Sequence, residues 1–207
     1  MTYSDEEPWL SVHSLLDFGE VTAQWLEGDI SYNPAYGTDE RPGPNEETAL
    51  IVEDLAAINR AGFVTTMSQP GVPPDEEGSA QRASLSGFTT FEVSEYLEAA
   101  TCLTDIIIMR FSPMMEVPCT IPISIWAEMK ASIFPDWMGP SPVTTREGGV
   151  GGPMDIEIFG EFDLPMLEVL ANSTYVIMID PVWGRNDVLW DMVRRTVCET
   201  APAALTP

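Results

Sequence analysis

Apolar residues in this chain come in short bursts cut apart by turn formers, and that spacing governs what the chain can fold into. A run such as Ile106-Ile107-Ile108-Met109 falls far below the roughly 20 residues a membrane-spanning helix needs. Its 18 prolines and 15 glycines punctuate 207 residues, so the expected elements are short helices and strands of a single domain. An apolar fraction of 44% supplies a sizeable core, which separates this chain from disordered acidic sequences.

Charge narrows the function classes. There are 9 Lys plus Arg against 33 Asp plus Glu, a net charge of −24. Basic residues cluster nowhere beyond Arg194-Arg195, which leaves no footprint for a phosphate backbone. Anionic membrane surfaces repel such a chain for the same reason. The first residues, Met1-Thr2-Tyr3-Ser4-Asp5-Glu6-Glu7, are the reverse of a signal peptide's positive start. Cys102, Cys119 and Cys198 form neither a disulfide framework nor a zinc knuckle. The expectation is a cytoplasmic protein that meets neither nucleic acid nor membrane.

Residues 1–10 read as an acidic arm, 11–200 as one domain and 201–207 as a frayed tail. Leu15, Leu16, Val21, Trp25 and Leu26 recur at helical spacing, with Gly28 as a stop. Ile30 to Pro44 reads as a loop too polar for the core. A second helix is expected to start at Asn45-Glu46-Glu47-Thr48, with Asn45 as its cap and the glutamates favoured by the helix dipole. Its apolar stripe would be Leu50, Ile51, Leu55 and Ile58, ending at Ala61-Gly62. Strands are expected over 63–68, 81–88, 105–111, 121–129, 154–159 and 175–179, and further helices over 91–100, 164–171 and 187–199. A long loop is expected over 135–153. The order has no strict βαβ rhythm, so the fold expected is α/β or α+β, with a mixed central sheet and helices packed on it.

Catalytic signals are weak. His13 is the sole histidine and reads as an ordinary surface residue. The cluster Gly148-Gly149-Val150-Gly151-Gly152 lacks a P-loop lysine and reads as a flexible loop. Asp180, Asp187 and Asp191 lack the spacing of a calcium loop. No catalytic residue, metal ligand or required cofactor is assigned. One constellation points elsewhere. If the helix opening at Glu47-Thr48 packs back on the strand carrying Thr65, Thr66 and Ser68, its first turn lies near the strand's end. Hydroxyls there suit a carboxylate and Glu47 suits an ammonium, the two halves of an amino-acid group. Helix capping and ordinary strand threonines account for the same residues.

A resemblance bears on that choice. Trp25-Leu26-Glu27-Gly28, Glu47-Thr48, Ile58-Asn59-Arg60-Ala61-Gly62, Thr65-Thr66-Met67-Ser68-Gln69-Pro70 and Gln81-Arg82-Ala83 follow in order. With Ile133-Phe134-Pro135 and the stretch from Tyr175 to Trp190, this set resembles the C-terminal regulatory domain of eukaryotic methylenetetrahydrofolate reductase over roughly residues 20–200. The chain also resembles an uncharacterised domain family of actinobacteria and their phages.

The first resemblance implies a non-catalytic module that binds S-adenosylmethionine or S-adenosylhomocysteine, as a sensor or by sequestering the ligand. By motif position the contacts would be Glu47, Thr48, Thr65 and Ser68. Ser132 and Thr144 are the hydroxyls nearest the family's two remaining ligand threonines, which fall near Lys130 and Val143. It also implies a homodimer, and none of the reductase activity, which in that family belongs to a separate flavin-binding barrel. The rival reading is an acidic inhibitor that imitates nucleic-acid charge and occupies the groove of a basic protein partner, with phage or host-defence associations.

Overall fold

The computed structural model describes residues 7–34, 43–76, 78, 80–111, 120–121, 150–151, 169–170 and 172–200. Within them the chain is an α+β domain. Helix α1 (Glu7–Leu10) leads into α2 (Leu15–Glu27). A 3-10 turn (Glu46–Leu50) precedes α3 (Val52–Arg60), β1 (Val64–Gln69), β2 (Ser84–Thr89) and α4 (Phe91–Thr101). Next come β3 (Ile107–Phe111), the short pair β4 (Thr120–Ile121) and β5 (Val150–Gly151), β6 (Thr174–Ile179) and α5 (Val188–Arg194). A π-helical stretch, Arg195–Thr200, extends α5.

Helix α2 shows how the sequence sets its own limits. Ser14 Oγ accepts the Asp17 N–H at 3.1 Å, and Asp17 Oδ2 accepts the His13 N–H at 3.1 Å, so two orphan donors at the start are satisfied reciprocally. Gly28 ends the helix at φ 85°, a left-handed conformation that favours glycine. Between these limits Leu15, Phe18, Val21, Trp25 and Leu26 are buried. Gly19 sits where α2 crosses α3, and a Cβ there would lie 1.8 Å from the Asn59 carbonyl oxygen. The two backbones touch. Arg60 locks the same pair from outside, donating to both oxygens of Glu27 and to Glu20.

The main sheet has the order β1-β2-β6-β3. Every pairing in it is antiparallel, so the expected mixture of strand directions is corrected. No βαβ crossover joins neighbouring strands in this sheet, hence nothing enforces parallel pairing. One face carries Thr65, Leu85, Val176, Met178 and Arg110, by register with one another. Asn59 of α3 bonds Thr65, and Ser94 of α4 accepts from Arg110, so this is the face the helices cover. The opposite face carries Ser86, Phe88, Tyr175 and Ile177, which are also buried. Phe88 and Tyr175 rings meet there at 4.9 Å.

Four expectations need correction. Residues 7–10 are more than an acidic arm: Trp9 is buried, meets Phe18 edge-on at 5.8 Å and donates Nε1–H to the Tyr32 carbonyl. The segment after α2 is not excluded from the core, because Ile30 and Asn33 are buried. Nor does the second helix begin at Asn45. Asn45 makes no side-chain cap, and Glu46–Leu50 form a 3-10 turn that stops at Ile51 before α3 starts. The break leaves Leu50 71% exposed while Ile51, Leu55 and Ile58 are buried. Val150–Gly151, expected within a loop, form β5 paired with β4. The strand expected over 154–159, the rest of the strand over 121–129 and of the loop over 135–153, most of the helix over 164–171 and the 201–207 tail lie outside the described residues.

Candidate functional site

Helix α3 returns directly into β1 through Ala61 and Gly62, whose φ of 84° permits the sharp turn. The C-terminal end of α3 therefore lies beside the start of β1, and the 3-10 turn that precedes α3 packs against β1 as well. That turn carries Glu47, exposed, and Thr48, buried. The nine-residue helix, about 13.5 Å long, is shorter than the six-residue strand, about 20 Å long, and the turn before the helix covers the remaining length. The turn accordingly lies toward the strand's far end, where Ser68 is found.

Strand alternation alone would set Thr65 and Ser68 on opposite faces of β1. A bulge prevents it. The register runs Thr65↔Gly87, then Met67↔Ser86, then Ser68↔Leu85, so Thr66 is the extra residue. Gly87 and Leu85 share a face of β2, hence Thr65 and Ser68 share the helix-covered face of β1. Both are half-buried. Thr65 is gripped by Asn59, which bonds both its N–H, at 3.0 Å, and its hydroxyl, at 2.9 Å. The Ser68 hydroxyl makes no hydrogen bond to a described residue.

Thr66, on the other face, joins a hydroxyl cluster. Its Oγ1 lies 3.2 Å from Ser86 Oγ and 3.4 Å from Tyr175 Oη. Burial pushes the Tyr175 phenol above its ordinary pKa, while hydrogen bonds to Ser86 and Thr66 pull the other way. The cluster anchors the bulge.

Beyond Ser68 the remaining motif pieces converge. Gly71 donates its N–H to Asn186 Oδ1 at 2.6 Å, and that oxygen also accepts Trp190 Nε1–H at 3.1 Å. Gln81 Nε2 donates to the Pro70 carbonyl, and the Arg82 guanidinium lies 4.2 Å from the Trp183 ring centroid. Asp180 is fully buried and holds Arg185 through both oxygens, and Arg185 also reaches Asp105. The Arg185 bond holds the Asp105 carboxyl below its usual range. Asp180 is thus engaged in an ion pair, Asp191 pairs with Arg195, and Asp187 starts α5 without a side-chain cap. His13 is exposed, as expected.

Of the six candidate contacts, Glu47, Thr48, Thr65 and Ser68 lie on two elements packed together, while Ser132 and Thr144 fall outside the described residues. Asn59, which holds Thr65 in place, is not among the candidates the sequence points to. Its signal was present: a polar side chain four residues after Leu55, within the buried stripe of α3.

Fold and site together define a single α+β domain in which helices cover one face of an antiparallel four-stranded sheet. The chain belongs to the family described as a domain of unknown function, DUF6919, whose pattern matches residues 4–200. A search of curated proteins finds no match. Among the described residues no helix is long and apolar enough to cross a membrane.

Proposed function

We propose that this domain is a non-catalytic module that binds S-adenosylmethionine or S-adenosylhomocysteine through the ligand's amino-acid end. The observation that carries the proposal is the bulge at Thr66, which sets the Thr65 and Ser68 hydroxyls on one face, beside the turn bearing Glu47 and Thr48. Hydroxyl donors of Thr65 and Ser68 suit the ligand's carboxylate. The exposed Glu47 carboxylate suits its ammonium. The ordered motif likeness to the methylenetetrahydrofolate reductase regulatory domain supports the same ligand class, with a homodimer and a cytoplasmic setting as further parts of the proposal.

Isothermal titration with each ligand tests it. Wild type should bind, and Glu47→Gln should weaken binding by about tenfold, the cost of one charge-assisted hydrogen bond. Unchanged affinity in Glu47→Gln would remove that residue from the site.

A further inference from the structure

Asn59 is fully buried on α3, and its hydrogen bonds fix the orientation of its amide. Nδ2 donates to the Leu55 carbonyl at 2.8 Å, while Oδ1 accepts the Thr65 N–H at 3.0 Å. A carbonyl only accepts and a backbone N–H only donates, so the two ends of the amide cannot be exchanged. The second Nδ2 proton therefore points to Thr65 Oγ1, 2.9 Å away. Thr65 is an acceptor toward Asn59, and its own proton has to leave in another direction. Among the described residues that proton meets no acceptor.

We infer that Asn59 is a positioning residue that turns the Thr65 hydroxyl proton away from itself and toward a ligand, so that the site favours a ligand with an anionic acceptor, the α-carboxylate. The inference rests on the proposed ligand class and goes beyond it, because it assigns carboxylate selectivity to a side chain that need not touch the ligand. A free hydroxyl offers two lone pairs and one proton; Asn59 takes one lone pair of Thr65, which shifts what remains toward donation. The Thr65 hydroxyl cannot give its proton back to the helix, and an oriented donor loses less freedom on binding. Gly19 belongs to the same device, since the absence of a side chain there lets α2 press on the Asn59 backbone.

Titration calorimetry of the full chain with S-adenosylmethionine and with its decarboxylated counterpart tests the inference. Wild type should prefer the carboxylated ligand by about tenfold or more. Thr65→Val should abolish most of that preference, and Thr65→Ser should retain it. Asn59→Asp keeps an acceptor for the Thr65 N–H but replaces the Nδ2 donor with a second acceptor. It should draw the Thr65 proton inward and erase the preference as well. Should Asn59→Asp fail to fold, the Asn59 side-chain amide resonances of wild type give the answer. They should move with the carboxylated ligand and stay in place with the decarboxylated one. A preference that survives Asn59→Asp or Thr65→Val, or equal resonance shifts with both ligands, overturns the role of Asn59 and leaves the ligand class standing. If wild type binds neither ligand, the class and the role fall together.

Discussion

Thr65 and Ser68 face the same side of β1 because the sheet register slips by one residue between them. The extra residue, Thr66, is held on the opposite face by Ser86 and Tyr175. A backbone irregularity thereby converts a pair that alternation would separate into a pair that one ligand can span. Deleting Thr66 should remove the bulge and leave Ser68 two residues after Thr65, so plain alternation keeps both on the same face. The expected outcome is a folded protein, less stable for want of the Thr66 hydroxyl contacts, that still binds S-adenosylmethionine. Loss of binding in this folded variant would show that a shared face of Thr65 and Ser68 does not make the site.

The α2–α3 contact tolerates no side chain at Gly19. Gly19→Ala forces the helices apart and should lower stability by about 1–3 kcal/mol, the usual cost of overpacking. Urea unfolding measures this directly as a lower midpoint at unchanged slope. An unaltered midpoint would mean that the two backbones do not touch.

Asp180 is buried and bound by Arg185 through two hydrogen bonds. Asp180→Ala leaves the guanidinium with only the exposed Asp105 and empties the acceptor used by the Val182 N–H. Removing one partner of a buried pair costs about 3–5 kcal/mol, at the lower end here because Arg185 keeps some solvent access. Thermal unfolding of this variant should show the largest loss among single side-chain replacements in the loop after β6. A loss no larger than that of Asp187→Ala would contradict the assignment.

The ion pair of Arg60 with Glu27 sets a pH dependence whose sign is fixed. The hydrogen bond from Arg60, aided by its charge and opposed by burial, holds the Glu27 carboxyl below its ordinary range. The folded state then binds fewer protons at this site than the unfolded chain, so the contribution is complete above the ordinary carboxylate pKa and fades as pH falls through that range. The Tm deficit of Glu27→Gln relative to wild type should be largest near about pH 7 and should shrink toward about pH 3. A deficit that grows in acid would reverse the sign.

The net charge of −24 bears on ligand choice. S-adenosylmethionine carries a sulfonium cation that S-adenosylhomocysteine lacks, and an acidic domain attracts the cation preferentially. Titrations at about 0.05 M and about 0.5 M salt should show the methionine form losing more affinity than the homocysteine form. Equal sensitivity would mean that the field of the domain plays no part.

Much of this fold was legible in the sequence, for reasons visible in particular residues. Helix α2 combines a buried stripe at the right period with a glycine stop, and both are local signals. The strand that became β1 is β-branched and ends at Gln69-Pro70-Gly71, where proline cannot continue the ladder. The start of α3 is not legible locally, because Leu50 and Ile51 fit a helical stripe as well as they fit a 3-10 turn. Only the packing of Ile51 decides between them. Trp9 and Ile30 were assigned to polar segments, since a lone apolar residue carries no periodicity. Trp9 finds its partners in Phe18 and the Tyr32 carbonyl, contacts that only the folded chain supplies.

The site was legible as residue types but not as geometry. Glu47, Thr48, Thr65 and Ser68 could be chosen from motif order, yet nothing local announces a bulge at Thr66. Its cause lies in Ser86 and Tyr175, far along the chain. Asn59 was hidden for the same reason. A buried asparagine is recognisable as unusual, but its role appears only once Thr65 stands across from it.

The central claim is tested most directly by thermal unfolding of the wild-type chain with saturating S-adenosylmethionine or S-adenosylhomocysteine. At about 100 times Kd, a ligand that binds only the folded state adds about 2.7 kcal/mol, which should appear as a clear rise in Tm. At least one of the two ligands should produce that rise, and Ser68→Ala should diminish it. No shift with either ligand at millimolar concentration would contradict the account.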